Sequence, residues 1–511
     1  MPLLGTLIKK AYQIKDRPAL REAKVSPIEI QYKELKKLLS KAEITAFGEH
    51  YHFSKILHSK QTIQDFQNTI PVFDYSKMFQ AWWYRSLNGE AYVSWPGKVK
   101  YFALTSGTSE ASSKQIPVTG DMLKSIKKAS LRQLVSASRY DFPIEFFQKG
   151  ILMIGGSTHL NLNGSYLEGD LSGISAGNIP FWFQHFYKPG RRISKERDWA
   201  TKLDEIVKSA PKWDIGVIVG VPAWIQIILE RIIETHKLNS IHDIWPNLNV
   251  YVHSGVAFAP YKKSFDKLFA RPIIYNESYL ASEGYIAYQN QPEDLGMKLI
   301  LDNGIFYEFV PFNDQNFDDE GNINANAKVL HIGQVNDKEE YALLLSNNSG
   351  AWRYLIGDTV KFNSVEKSQI IITGRTKHFL SICGEHLSMD NINRAMELTQ
   401  QDLDIEVGEF TVMGVEHGSL WAHEWHVGTD CQVEPKVIKE ALDNHLNTLN
   451  DDYRVERMEA IKDVTVKIIP TQIFAKWMKI NGKEGGANKF PRVLKNKIKT
   501  DWLEFLKQEG Y

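Results

Sequence analysis

The chain has 511 residues, with 61 basic and 61 acidic side chains that cancel to a formal net charge of zero. That balance argues against a general nucleic-acid binder, which carries a basic excess. Two cysteines, Cys383 and Cys431, are too few for a disulfide framework and suit a reducing cytoplasm. The length exceeds one ordinary core and implies two or three domains.

Residues 1–7 are apolar but too short for a signal segment, and Lys9-Lys10 follow rather than precede them. Apolar residues at helical spacing over 28–39 and 63–66, with Trp82, Trp83 and Tyr84 beyond, predict a mostly helical segment up to about residue 90. Tyr101-Phe102-Ala103-Leu104 then reads as a strand. It runs into Thr105-Ser106-Gly107-Thr108-Ser109, followed by Glu110-Ala111-Ser112-Ser113-Lys114. Small hydroxyl residues around a glycine, closed by a lysine, are suited to cradling phosphate: consecutive N–H groups and hydroxyls can point at one anion. The spacing is not that of a Walker motif. A helix is predicted from about Gly120.

Short apolar runs at 151–156, 215–220, 250–255 and 271–275 alternate with helical patterns. That texture predicts α/β layering with a largely parallel sheet, in which ligands sit at the carboxyl ends of strands. The most apolar stretch, 215–229, is broken by Gly220, Pro222 and Gln226 and is too short to span a membrane. A strand, a turn and a helix from Pro222 explain it. From Ile305 the texture becomes antiparallel and barrel-like: Ile305 to Val310, Glu340 to Leu345, a turn at Asn347-Asn348-Ser349-Gly350, then Trp352-Arg353-Tyr354. A boundary is expected near Gly374-Arg375-Thr376. It separates a large domain, 1–374, from a smaller α+β domain, 375–511.

Taken singly, the polar motifs are weak. Glu283 in Tyr279-Leu280-Ala281-Ser282-Glu283-Gly284 reads alone as a helix N-cap. Asp358 in Arg353-Tyr354-Leu355-Ile356-Gly357-Asp358 reads as a turn residue. The basic stretch around Gly485-Gly486-Ala487-Asn488-Lys489-Phe490-Pro491-Arg492 reads as a solvated face. In this order, however, they resemble the auxin-responsive acyl-acid-amido synthetase family of the adenylate-forming superfamily. Ile70-Pro71-Val72-Phe73-Asp74-Tyr75, the loop from 105 to 117, Gly220-Val221-Pro222-Ala223-Trp224 and Phe306-Tyr307-Glu308-Phe309 resemble family stretches. So do His423-Glu424-Trp425 and Asn450 with Tyr453 and Arg457.

The resemblance implies an ATP-dependent ligase: a small carboxylic acid attacks the α-phosphorus of ATP, giving acyl-AMP and pyrophosphate, and an amine, typically an amino acid, then takes the acyl group. It implies that Thr105, Ser106, Gly107, Thr108, Ser109 and Lys114 hold phosphates. Glu283 would bind Mg²⁺, Tyr279 would stack on adenine, and Ser254, Gly255 and Val256 would line the base edge beside Ser282. Asp358 would take the ribose hydroxyls, Arg375 would begin the hinge, and Lys489 would reach in catalytically from the lid. Acyl-pocket candidates are Leu123 with its helix neighbours Met122 and Ile126, Val221, Pro222, Ala223, Trp224 and the turn Gly155-Gly156-Ser157. Glu110-Ala111 stands where such loops often carry another glycine, and Leu280 where a smaller residue is usual. The expected protein is a cytoplasmic monomer or weak homodimer that binds neither nucleic acid nor membrane. Transfer of the acyl group to a thiol such as coenzyme A, or non-catalytic binding of an acid, are the competing expectations.

Overall fold

A computed structural model describes residue 6 and residues 9–14, 25–106, 113–179, 183–255, 258–291, 294–318, 321–377, 379–385, 387–481 and 490–511. The chain divides into two compact units. One comprises Met1–Leu104 and Gln115–Thr376, the other Thr105–Lys114 and Lys377–Tyr511. The fold is mixed α/β, with a large sheet unit and a smaller C-terminal one.

The first unit begins with helices. The longest, α1 (Pro27–Ala42), buries Leu35, Leu38, Leu39 and Ala42, an i, i+3, i+4, i+7 stripe. Phe47, Phe53, Phe66, Trp82 and Trp83 join it in one aromatic-rich core with Trp352 and Tyr354. Strands β1 (Tyr101–Ser106) and β2 (Ser113–Val118) flank the Ser/Thr-rich loop. Helix α2 (Gly120–Ser136) follows, capped by the Thr119 hydroxyl on the Met122 N–H at 3.1 Å. Strands β3 (Gly150–Met153), β4 (Asn161–Asn163) and β5 (Tyr166–Gly169) come next, then α3 (Leu171–Gly177) and β6 (Tyr187–Lys188). Helix α4 (Trp199–Ser209) leads to β7 (Ile215–Gly220), which passes through Val221 into α5 (Pro222–His236). Pro222 supplies the fixed φ that suits a helix's first position. Strand β8 (Val250–His253) and helix α6 (Ala259–Asp266) precede the antiparallel part.

That part is β9 (Ile274–Ala281), β10 (Gly284–Tyr288), β11 (Met297–Leu299), β12 (Ile305–Pro311), β13 (Leu330–His331), β14 (Glu340–Asn347), β15 (Tyr354–Ser364) and β16 (Gln369–Arg375). Among the described residues, β2-β1-β5-β4 form one sheet. A second runs β13-β12-β14-β15-β16-β11-β10-β9-β8-β7-β3-β6. The pairs from β6 to β9 are parallel and those from β9 onward antiparallel. The barrel-like texture expected after Ile305 is therefore the antiparallel half of a sheet continuous with the parallel half. The fourth strand starts at Ile274 rather than Arg271 and continues to Ala281.

The second unit holds the short pair β17 (Phe379–Leu380) and β18 (Leu387–Ser388), and a sheet of β19 (Glu409–His417), β20 (Leu420–Gly428) and β21 (Ile461–Ile469). Helices α7 (Met389–Leu403), α8 (Pro435–Leu449), α9 (Thr471–Ile480) and α10 (Asn496–Glu509) accompany it. Trp477, Phe490 and Trp502 centre its core. A capping box opens α7: Ser388 Oγ accepts the Asn391 N–H at 3.1 Å while Asn391 Oδ1 accepts the Ser388 N–H at 3.2 Å. Ser388→Ala should cost about 1 kcal/mol. An unchanged urea midpoint would show that the cap contributes nothing.

The C-terminal landmarks form structural networks. Asn450 Oδ1 accepts the Tyr453 N–H at 2.7 Å, and Asp443 gathers the Tyr453 hydroxyl at 2.7 Å and Arg457 Nε at 3.0 Å. His423 and Glu385, both fully buried, pair at 3.0 Å. The Glu385 carboxylate also accepts N–H groups from Ile382, Cys383 and Gly384 at 2.8–3.2 Å. Burial works against its charge, but the His423 contact and these amides outweigh it and hold its pKa below the ordinary carboxylate value. Arg492 pairs with Glu409 and stacks over Phe410 at 4.2 Å from the ring centre, anchoring the chain just after the glycine-rich segment.

Candidate active site

In the first unit, polar residues from distant motifs meet at the junction of the parallel and antiparallel half-sheets. Asp358 and Arg375 lie directly opposite each other on β15 and β16, which places their side chains on one face. Arg375 Nε donates to Asp358 Oδ1 at 2.7 Å. From β9, the Tyr279 hydroxyl donates to Asp358 Oδ2 at 2.5 Å. Gly357, at φ +92°, lies in the irregular stretch of β15 just before Asp358, in a region where a Cβ would be strained. Its carbonyl accepts the Thr376 N–H at 2.8 Å, closing the strand pair next to Arg375.

Glu283 belongs to the same cluster. It is not a helix N-cap: Ser282 and Glu283 form the tight turn joining β9 to β10, with Ala281 opposite Gly284. Glu283 is 7% exposed. Asn347 fixes the turn by donating its side-chain N–H to the Glu283 carbonyl at 2.7 Å, while its oxygen accepts from Ser349 and Ala351. Burial, then Asp358, pushes the Tyr279 phenol well above its usual pKa, so it stays protonated and donates. Burial opposes the Arg375 charge, but Asp358, Tyr279 and Glu283 together outweigh it and raise its pKa.

The arginine end of the aspartate motif makes a separate ion pair with the Phe306–Phe309 strand. Arg353 Nε lies 3.2 Å from both Glu308 oxygens, with both side chains buried. Arg353 Nη1 donates to the carbonyls of Gln67 and Ile70 at 2.7 and 2.5 Å. The Phe73 N–H in turn reaches the Arg353 carbonyl at 3.0 Å. The proline–tyrosine stretch, the Phe306–Phe309 strand and the arginine end of the aspartate motif are thus one structural assembly. The sequence offered these three only as stretches resembling a family, and the pairing of Glu308 with Arg353 becomes visible only in the fold.

Three domain models match the chain: the GH3 family N-terminal domain over residues 17–193, its central domain over 298–375 and its C-terminal domain over 390–498. Together they account for more than half of the sequence. The chain belongs to the GH3 family. It is 24% identical over 299 residues to indole-3-acetic acid-amido synthetase GH3.10 of Arabidopsis thaliana, covering 54% of this chain and 50% of that one. It is 24% identical over 226 residues to jasmonoyl--L-amino acid synthetase JAR6 of Nicotiana attenuata, covering 42% and 37%. This GH3 chain therefore spans about half or less of the length of the curated relatives it matches. Its fold is similar to the solved GH3.15 acyl acid amido synthetase (16% identity, 96% and 95% covered, TM-score 0.58). It is equally similar to a 2-hydroxyisobutyryl-CoA ligase holding 2-HIB-AMP and CoA (13%, 94% and 92%, TM-score 0.58).

The remaining candidates of this GH3 chain are placed unevenly. Gly107, Thr108, Ser109, Val256 and Lys489 lie outside the described residues, and of Ser106 the backbone at the end of β1 is described. Thr105 and Lys114 are half-buried at the strand ends flanking the loop. Ser254 is half-buried, and Gly255, at φ +88°, is exposed; a Cβ there would come 3.5 Å from Val221. Ala223 is fully buried and Pro222 is buried in the first turn of α5. Val221 and Trp224 stay partly exposed, with Trp224 edge-on to Trp199 at 4.2 Å. Leu123 packs partly buried against the N-terminal core.

His253, at the end of β8, had no place in the sequence reading. It is 5% exposed, lies 4.5 Å from Phe258 ring to ring, and its Nδ1 has no hydrogen-bond partner among the described residues. Burial drives its pKa from 6.5 down to about 4. Between those values the unfolded chain binds a proton that the folded one does not, so stability should fall as pH drops from about 6.5 to about 4. His253→Phe should flatten that slope. Equal urea midpoint losses for both proteins between pH 7 and pH 4.5 would overturn the assignment.

Proposed function

We propose that this chain is an ATP-dependent acyl-acid amido synthetase, which adenylates a small carboxylic acid and passes the acyl group to an amine, most simply an amino acid. The observation that carries the reading is the junction of Tyr279, Asp358 and Arg375 with Glu283 inside a GH3-family chain. Among the described residues Asp358 accepts these two hydrogen bonds, and a carboxylate has capacity for about four. Two positions are left for a vicinal diol, which is what a ribose presents. Tyr279, tied to the same carboxylate, is assigned to the base together with Ser282. Ser254, Gly255 and Val256 are assigned to the base edge.

Among the described residues no cluster of three acidic, histidine or cysteine side chains could hold a resident metal. A single carboxylate such as Glu283 fits Mg²⁺ arriving with the nucleotide, since that ion keeps water and substrate phosphate ligands. Bound there, Mg²⁺ would neutralise phosphate charge. The loop Thr105, Ser106, Gly107, Thr108, Ser109 and Lys114 supplies hydroxyls, amides and a cation for the phosphates. Residues 375–511 act as a lid that begins at Arg375 and carries Lys489 as the catalytic cation. The acid lies along Leu123, Val221 and Trp224. Relatives named as an indole-3-acetic acid-amido synthetase and a jasmonoyl-amino acid synthetase support a carboxylic acid and an amino acid as its substrates.

ATP–pyrophosphate exchange across a library of carboxylic acids tests the first half-reaction, and exchange with none of them would sink the reading. Mass spectrometry of products formed with amino acids or with coenzyme A decides the acceptor. A thioester in place of an amide would replace the synthetase by a thiol ligase. Among the described residues no helix is long and apolar enough to cross a membrane.

A further inference from the structure

Under the turn that follows β3 lies a small cavity walled by Gly155, Gly156, Ser172, Tyr187, Ser194 and Lys202. Its volume of about 20 Å³ has room for one water-sized group. It sits at the sheet edge where a doubly wound fold collects ligands. The Ile154 N–H bonds the Val219 carbonyl at 2.9 Å, and a Cβ on Gly220 would lie 3.1 Å from the Ile154 carbonyl. The cavity's roof therefore adjoins the end of β7 and the Val221 turn, which itself faces Gly255.

Met153 and Ala176 make part of the wall apolar, and the polar groups in it use their hydrogen bonds only partly. Lys202, on α4, is 4% exposed, and its ammonium gives one N–H to the Gly155 carbonyl at 2.9 Å. An ammonium has three. Ser172 Oγ accepts the Gly156 N–H at 2.8 Å, which leaves its own proton to donate. The Tyr187 and Ser194 hydroxyls share a bond at 2.8 Å, so one of their two protons remains. The wall offers donors rather than acceptors. Burial lowers the Lys202 pKa, and Asp170 and Glu196 act the other way by favouring its charge. A cavity of about 20 Å³ admits a single oxygen and not the two of a carboxylate. A neutral acceptor is the complementary guest.

We propose that this cavity receives a hydroxyl or carbonyl group at the far end of the acid, with Lys202 as the specificity-determining residue. The proposal rests on the adenylation reading for the identity of its ligand, but not for its test. A series of straight-chain acids of increasing length, each paired with its ω-hydroxy counterpart, is presented to the full chain. ATP–pyrophosphate exchange and calorimetric binding without ATP are both measured. At one chain length the hydroxy acid should be favoured by about tenfold or more in either readout, because an apolar end leaves buried donors unpaired. Lys202→Met should bring that ratio close to one, and Ser194→Ala should cut it a few-fold, a check that holds even where the lysine variant folds poorly. No preference at any length, or a ratio that survives in Lys202→Met, would overturn the assignment and leave Lys202 a structural anchor for Gly155. If no acid supports exchange, the adenylation reading fails by itself. Calorimetry still decides the cavity: hydroxy-acid binding that Lys202→Met removes upholds it, and its absence overturns it.

Discussion

Replacing Arg353 with methionine is expected to destabilise the first unit by about 3–5 kcal/mol, because it strands a buried charge. Glu308 is 1% exposed and Arg353 is 5% exposed, so bulk water reaches neither partner in the folded chain. The variant would also lose the two donors to Gln67 and Ile70 that hold the N-terminal segment on β15. Gln67 Nε2, which donates to Glu308 at 2.9 Å, would be the only neutral support left to the carboxylate among these groups. Removing both charges is a different experiment. In Arg353→Met with Glu308→Leu the desolvation penalty goes with the charges, so the double variant should cost clearly less than the two single losses added together. Guanidinium unfolding of the single and double variants gives the comparison. A single-variant loss below about 1 kcal/mol would mean that the pair is solvated and braces nothing.

This pair also marks how far the sequence could be read. The elements with strong periodicity or proline punctuation stand where their spacing puts them. Examples are the strand at 215–220 turning into a helix at Pro222, the helix from Gly120, and the strand from Ile305. Those signals are local, and local physics decides them. The turn at Glu283 went the other way. Ser-Glu-Gly looks like a helix start in one dimension, and only the pairing of β9 with β10, with Asn347 brought from another strand, makes it a hairpin. Arg353 was legible as part of a motif but not as a brace, since its partner lies 45 residues away. Lys202 and His253 carried no pattern at all. Their meaning comes from what surrounds them after folding, a cavity in one case and, in the other, a ring nitrogen with no partner among the described residues.

Asp358→Ala should weaken ATP binding by roughly 2–4 kcal/mol, about thirtyfold to a thousandfold in Kd. Two effects add. The charge-assisted bonds to the ribose are lost, and Arg375 and Tyr279 are released from the carboxylate that orients them. Two further variants separate the effects. Asp358→Asn keeps a neutral oxygen for one donor but gives up the charge facing Arg375, so its loss should fall between wild type and alanine. Tyr279→Phe removes one protein donor and leaves the carboxylate in place, so its effect on affinity should be the smallest of the three if the ribose contact dominates. Nucleotide titration by calorimetry at fixed salt gives all three values. Unchanged affinity in Asp358→Ala would sink the ribose assignment. A Tyr279→Phe loss as large as that of alanine would move the decisive contribution from the aspartate to the Tyr279 hydroxyl that orients it.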